Sequence, residues 1–165
     1  MPLLADITPL RENPDYRRMF TGTSLAAVGS QVTAVAVGLQ LYDITGSTFA
    51  VGLLGLFAFV PLAVFGLYGG SLVDAHDRRT VVVVTAAGML VSAVGIMVQA
   101  LLGLENVWVL YALVAVQSAF FAVNSPARSS IVPRLLPPHL LPAANSLQGV
   151  VMGTGMLLGP LLAGF

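Results

Sequence analysis

The stretch FAVGLLGLFAFVPLAVFGLYGGSLVDAHDRR, residues 49–79, decides the fold. From Phe49 to Val73 it carries no charge; then Asp74, Asp77, Arg78 and Arg79 follow within six residues. A helix rises about 1.5 Å per residue and a bilayer core is about 30 Å thick, so about 20 apolar residues cross it. The uncharged part is long enough for one crossing and too short for two. The charged part marks the return to water.

The same alternation governs the rest of the chain. Between Arg18 and Asp43 lie 24 uncharged residues, between Asp43 and Asp74 there are 30, between Arg79 and Glu105 there are 25, and between Glu105 and Arg128 there are 22. After Arg134 the last 31 residues carry no formal charge. Five transmembrane helices are predicted, over about 20–42, 49–73, 80–102, 107–125 and 143–165. Residues 1–19 hold Pro2, Pro9, Pro14 and six charges, which reads as a cytoplasmic segment and not a signal peptide. Transmembrane strands would alternate in segments of about 10 residues, and the run Val81–Val84 does not.

Composition agrees. Of 165 residues, 57% are hydrophobic and 8% charged, against about 25% charged in a soluble domain. Mean hydropathy is +0.92. The zero net charge argues against a nucleic-acid binder, which needs a basic stripe for phosphates. There is no Cys, so disulfides, thiolate nucleophiles and Cys-ligated metals are excluded. No Walker sequence, Gly-x-Ser-x-Gly elbow or His-Glu-x-x-His stretch occurs. His76 and His139 are isolated and make a poor metal site. No enzyme activity, cofactor or metal is expected.

Orientation follows from arginine. All seven lie in the N-terminal segment, the second connection or the fourth; the first and third hold only Asp43 and Glu105. By the positive-inside rule the N-terminus and the Arg-bearing loops are cytoplasmic, in a multi-pass protein of the cell membrane. Tyr42, Trp108 and Tyr111 then fall near the outer interface. Thr45-Gly46-Ser47-Thr48 is turn material, with Ser47 or Thr48 able to cap the next helix. The fourth connection carries Pro126, Pro133, Pro137, Pro138 and Pro142, which should stop the preceding helix and leave a structured loop with one short interfacial helix.

Three sets of residues carry a family likeness. Gly69-Gly70-Ser71-Leu72-Val73-Asp74-Ala75-His76-Asp77-Arg78-Arg79 resembles the signature loop of the major facilitator superfamily, roughly Gly-x-Leu-Ala-Asp-Arg-x-Gly-Arg-Arg. Gly70, Leu72, Asp74, Arg78 and Arg79 match; Ala75 and Asp77 depart. A carboxylate at Asp74 ends a helix whose dipole is already negative there, and Arg78 and Arg79 stand close enough in sequence to neutralise it. Gly66 and Gly70, four apart, offer a face that another backbone can approach. The resemblance implies that this loop gates the conformational change. As a bare charged turn it would explain the arginines alone.

Gly155-Met156-Leu157-Leu158-Gly159-Pro160-Leu161-Leu162-Ala163-Gly164 resembles the family's fifth-helix antiporter motif, with Ala163 in place of one Gly. Gly155, Gly159 and Pro160 would give a bendable, close-packing helix. Asn13-Pro14-Asp15-Tyr16-Arg17-Arg18, Leu41–Ser47, Asn124–Arg128 and Ile131-Val132-Pro133-Arg134-Leu135 look like bacterial drug and siderophore exporters. The family's fourth helix often has an Arg three residues before a Gln-Gly pair. Here Val114 holds that place and Ser118 follows Gln117, so that proton-coupling role does not carry over.

The resemblance implies an all-α integral membrane fold: the incomplete N-terminal half of a twelve-helix transporter. It implies proton-coupled export of small amphipathic molecules by alternating access. Gln117, Phe121, Asn124 and Arg128 share one face of the fourth helix. Gln31, Gln117 and Asn124 are candidate cavity-lining residues, with plain helix packing an equal reading for the two glutamines. Asp43 is a candidate proton carrier, although its place at a helix end favours an interfacial charge. Expected partners are the bilayer, a small substrate, and the missing C-terminal half or a complementary membrane chain. The abrupt apolar end at Phe165 suggests truncation. The alternative is a non-transporting five-helix scaffold or accessory subunit, or an inactive truncated product.

Overall fold

The computed structural model describes the backbone of residues 6–163, and the side chains of these except residues 71–75, 158–160, 162 and 163. Every regular element among them is helical: α1 (Thr8–Glu12), α2 (Pro14–Thr45), α3 (Thr48–Ala75), α4 (Arg78–Leu101), α5 (Val107–Ser129), α6 (Val132–Leu135), a 3-10 turn (Pro138–Leu140) and α7 (Leu141–Ala163). Four of them, α2 to α5, are long and apolar enough to cross a membrane among the described residues. The fifth predicted span coincides with α7, whose 23 residues would extend about 35 Å.

Short polar residues set where the helices begin. The Asn13 Oδ1 accepts from the Asp15 and Tyr16 backbone N–H groups at 3.0 and 2.9 Å. With Pro14 as first helical residue, α2 starts six residues before the predicted span. Its 32 residues cover about 48 Å, more than a bilayer core, so its ends reach beyond the lipid. Ser47 caps α3 through the Ala50 N–H, after Gly46 has turned the chain at φ 60°. Asn106 caps α5 through the N–H groups of Trp108 and Val109.

One proline behaves differently from expectation, and another lies inside a predicted span. Pro126 does not end α5, which runs on to Ser129, and Pro61 lies inside α3. A proline in a helix removes one donor and frees the carbonyl four residues back. For Pro126 that is the carbonyl of Ala122. A Cβ built on Gly69 of α3 would lie 3.4 Å from this oxygen, so the α3 backbone covers it. The connection after Ser129 then holds the short α6 and the 3-10 turn.

The chain divides into two compact units: residues up to Ala36 together with those from Ser130 on, and Val37–Ser129. In the second, Val37, Leu41, Ile96, Leu110 and Tyr111 form the core. In the first, Tyr16, Leu136, Leu140 and Ala144 do. Outward faces are apolar: Leu67 is 84% exposed and Trp108 73%. Water would not tolerate so large an apolar surface, and lipid would cover it. Hydroxyls on these helices bond inward along their own backbone, such as Ser24 Oγ to the Phe20 carbonyl and Thr33 Oγ1 to the Gly29 carbonyl. A polar group satisfied within its helix can sit in lipid at little cost.

Candidate functional site

Helices α3 and α4 both lean on α5, and small residues let them do so. Along α4 the buried positions are Val81, Thr85, Ser92, Ile96 and Gln99, spaced by three, four or seven. Between them lie Gly88 and Gly95. A Cβ on Gly88 would sit 2.5 Å from the Phe120 ring, and one on Gly95 3.1 Å from the Leu113 side chain. The α5 side chains therefore occupy hollows that only glycine leaves open. Near the other end of the pair, Phe57 of α3 stacks on Tyr111 of α5 at 4.6 Å, and the Tyr111 hydroxyl donates to the Ala50 carbonyl at 2.8 Å. Of the three aromatic residues expected at the outer interface, Tyr42 and Trp108 are exposed. Tyr111 is 3% exposed, because α3 covers it.

Asn124 is 2% exposed and faces α4. Its Nδ2 donates to the Val82 carbonyl at 3.2 Å and to Thr85 Oγ1 at 2.6 Å, while the Thr85 hydroxyl donates to the Val81 carbonyl. Gln117 and Arg128 are half-buried and Phe121 is exposed. The four residues of that face therefore meet different surroundings, and Asn124 serves the α4–α5 contact in this chain. Gln99 is a polar residue that the sequence reading missed. Its Nε2 donates to the Leu104 and Asn106 carbonyls, closing the turn between α4 and α5.

The loop between α3 and α4 is described in part; the side chain of Asp74 lies outside the described residues. Gly69 is the glycine of this motif that meets a neighbour: a Cβ there would lie 3.6 Å from the Val123 Cα. Among the described residues, no atom outside the surrounding turns of α3 comes within 4 Å of a Cβ at Gly66 or Gly70. Successive helix positions differ by about 100°, so the stripe that faces α5 passes through Gly69 and misses its neighbour. Arg78 begins α4 and is half-buried; Arg79 is exposed. Asp77, which departs from the family pattern, caps α4: its Oδ2 accepts from the Thr80 N–H at 3.1 Å and hydroxyl at 3.0 Å.

The Thr80 backbone N–H, then its hydroxyl, hold the Asp77 carboxyl below the usual carboxylate range. A depressed carboxylate stabilises the fold above its unfolded pKa, about 3.9, and the contribution disappears as pH falls through the lower folded value. Protection of the Thr80 amide, taken relative to its intrinsic exchange rate, should thus fall as pH drops below about 4 in the native chain. Asp77→Ala should show fast exchange at neutral pH, and Asp77→Asn, which keeps an acceptor, should lose the acid dependence. Amide exchange followed against pH checks this.

In the first unit, Gly155 of α7 meets α2. A Cβ on it would lie 3.8 Å from Gln31 Cγ, 3.9 Å from the Ala27 carbonyl and 4.0 Å from the Val28 Cα. The structure thus brings together two candidates that the sequence had on separate helices. Gly159 and Pro160 lie outside the described side chains. Gln117 and Asn124 belong to the second unit. Asp43 is exposed in the last turn of α2. A groove of about 590 Å³, lined by Pro61, Phe65, Val84 and Phe120 with His76 and Thr80, runs along α3, α4 and α5. Among the described residues no cluster of His, Asp and Glu could hold a metal ion.

Long apolar helices, internally bonded polar groups and small-residue contacts define an integral membrane protein of the α-helical class. The chain belongs to the transmembrane secretion effector family of the major facilitator superfamily, whose sequence pattern matches residues 4–165. It is 25% identical over 153 residues to macrolide efflux protein A of Streptococcus pyogenes, covering 90% of this chain and 36% of that protein. It is 24% identical over 161 residues to the enterobactin exporter EntS of Salmonella typhimurium, covering 98% of this chain and 39% of the relative. A Bacillus subtilis protein described as an MFS-type transporter, YfiS, is 24% identical over 155 residues. The chain spans 36–39% of the length of these relatives. No solved structure matches it.

Proposed function

We propose that this chain is the N-terminal part of a proton-coupled exporter of small amphipathic molecules. It would work by alternating access, with a second half as partner. The observation that carries this reading is the family match over residues 4–165, supported by relatives named for macrolide efflux and enterobactin export. The N-terminus and the Arg-bearing loops face the cytoplasm, and residues 20–165 form the transmembrane domain. Gly70, Asp74, Arg78 and Arg79 act as the gate: the open faces of Gly66 and Gly70 are places where the second half would pack. Gly155, Gly159 and Pro160 form the bendable face of α7. Gln31, Gln117 and Asn124 line or support the substrate path, and Asp43 is an interfacial charge that could exchange protons with the outside.

The test is substrate efflux from inverted vesicles that carry the chain with the remainder of the transporter under an imposed proton gradient. Asp74→Asn removes the charge that the gate needs while keeping shape. Efflux should fall by about tenfold, the effect of roughly 1.4 kcal/mol at the gate. Unchanged efflux would remove the role given to that loop.

A further inference from the structure

Two stretches that resemble the family, Asn13–Arg18 and Ile131–Leu135, have no part in the gate or the bendable helix. The structure joins them. The Asn13 Nδ2 donates to the carbonyl of Leu135, 122 residues later in the chain. The same side chain caps α2 through its Oδ1, which takes the N–H groups of Asp15 and Tyr16.

The Leu135 carbonyl needs this donor. It closes α6, and the last carbonyls of a helix have no partner within it. The next amide, that of Leu136, is spent on the Val132 carbonyl, and Pro137 and Pro138 have no N–H to offer. A primary amide accepts through one atom and donates through another; a carboxylate cannot donate, and a serine hydroxyl, which can do both, is too short to span the gap. Tyr16, Leu136, Leu140 and Ala144 pack on one another, with Leu10, Met19 and Leu135 itself against them.

We infer that Asn13 is a strap: it fixes the cytoplasmic end of α2 to the connection that leads into α7, so that the two helices move as one part. A second tie lies deeper, where Gly155 of α7 meets Ala27, Val28 and Gln31 of α2. Along α2 the two ties stand about 21 Å apart, from Pro14 to Val28; on the other side the first lies at Leu135, in α6 ahead of α7. The contact itself does not depend on the exporter reading; its use during transport rests on that reading.

Asn13→Asp keeps the cap on α2 and loses the donor, and Asn13→Ser does the same with no added charge. With the chain in lipid nanodiscs, either variant should raise amide exchange at Leu135 and Leu136, and trypsin cleavage after Arg134, by tenfold or more. The Asp15 and Tyr16 amides should stay protected. Should Asn13→Asp fail to fold, Asn13→Ser decides the matter. Exchange and cleavage within twofold of the native chain would overturn the strap. Neither readout involves transport, so a failure to export substrate would count against the proposed function and leave the strap standing.

Discussion

Replacing Gly88 by Ala should loosen the α4–α5 pair by about 1–3 kcal/mol, the usual cost of overpacking. The new methyl would sit 2.5 Å from the Phe120 ring, well inside contact distance, and the ring would have to swing out of its hollow. Gly88→Val should be worse, because a branched side chain has no rotamer that avoids the ring. Phe120→Ala supplies the control. It opens the space, so Gly88→Ala should cost little in that background. Unfolding in mild detergent, measured for both single variants and the double variant, gives the coupling. A double variant whose loss equals the sum of the single losses would show that the ring and the glycine do not share this space.

Asn124 gives the second large effect. Asn124→Leu keeps the branched outline, with a somewhat larger side chain, and removes the bonds to Val82 and Thr85; it should cost about 1–2 kcal/mol, as for other hydrogen bonds between membrane helices. The Thr85 hydroxyl keeps its bond to Val81, so no second group is orphaned. Asn124→Asp should cost more at neutral pH, with about 2.5–3.5 kcal/mol, the figure for the centre of a membrane helix, as the upper bound at this span end, because a carboxylate would face the Val82 carbonyl. Protonation removes that charge and supplies a donor to the Val82 carbonyl, so the loss should shrink as pH falls. Unfolding curves at pH 5 and pH 8 for the two variants check the order and the sign.

Much of the fold is legible in the charges. Each uncharged interval became a long helix, and Ser47 caps α3 as its place in the turn suggested. Neighbour choice is where the sequence falls silent. Lipid tails are as apolar as leucine, so hydropathy cannot separate a face that meets lipid from one that meets a helix. Gly88 and Gly95 look like other glycines in the chain until Phe120 and Leu113 are seen to fill their hollows. The spacing of Thr85, Gly88, Ser92 and Gln99 was the available signal, small and polar residues recurring at intervals of three, four and seven along an apolar helix. Tyr111 reads as an interfacial ring, yet its hydroxyl bonds to α3. Pro126 reads as a stop, yet the α3 backbone at Gly69 covers the carbonyl it frees. In the candidate site, Gln31 and Gly155 were legible singly; their meeting was not, because 124 positions separate them in the chain.

The central claim is that α2 to α5 and α7 thread the bilayer with the arginines inside. The absence of cysteine makes a direct measurement clean. Single variants Glu105→Cys and His139→Cys would be exposed to a membrane-impermeant maleimide in intact cells and again after permeabilisation. Residue 105 should label in both conditions, and residue 139 only after permeabilisation. Labelling of residue 139 from outside intact cells would contradict the topology, and with it the gate, the strap's cytoplasmic setting and the exporter built on them.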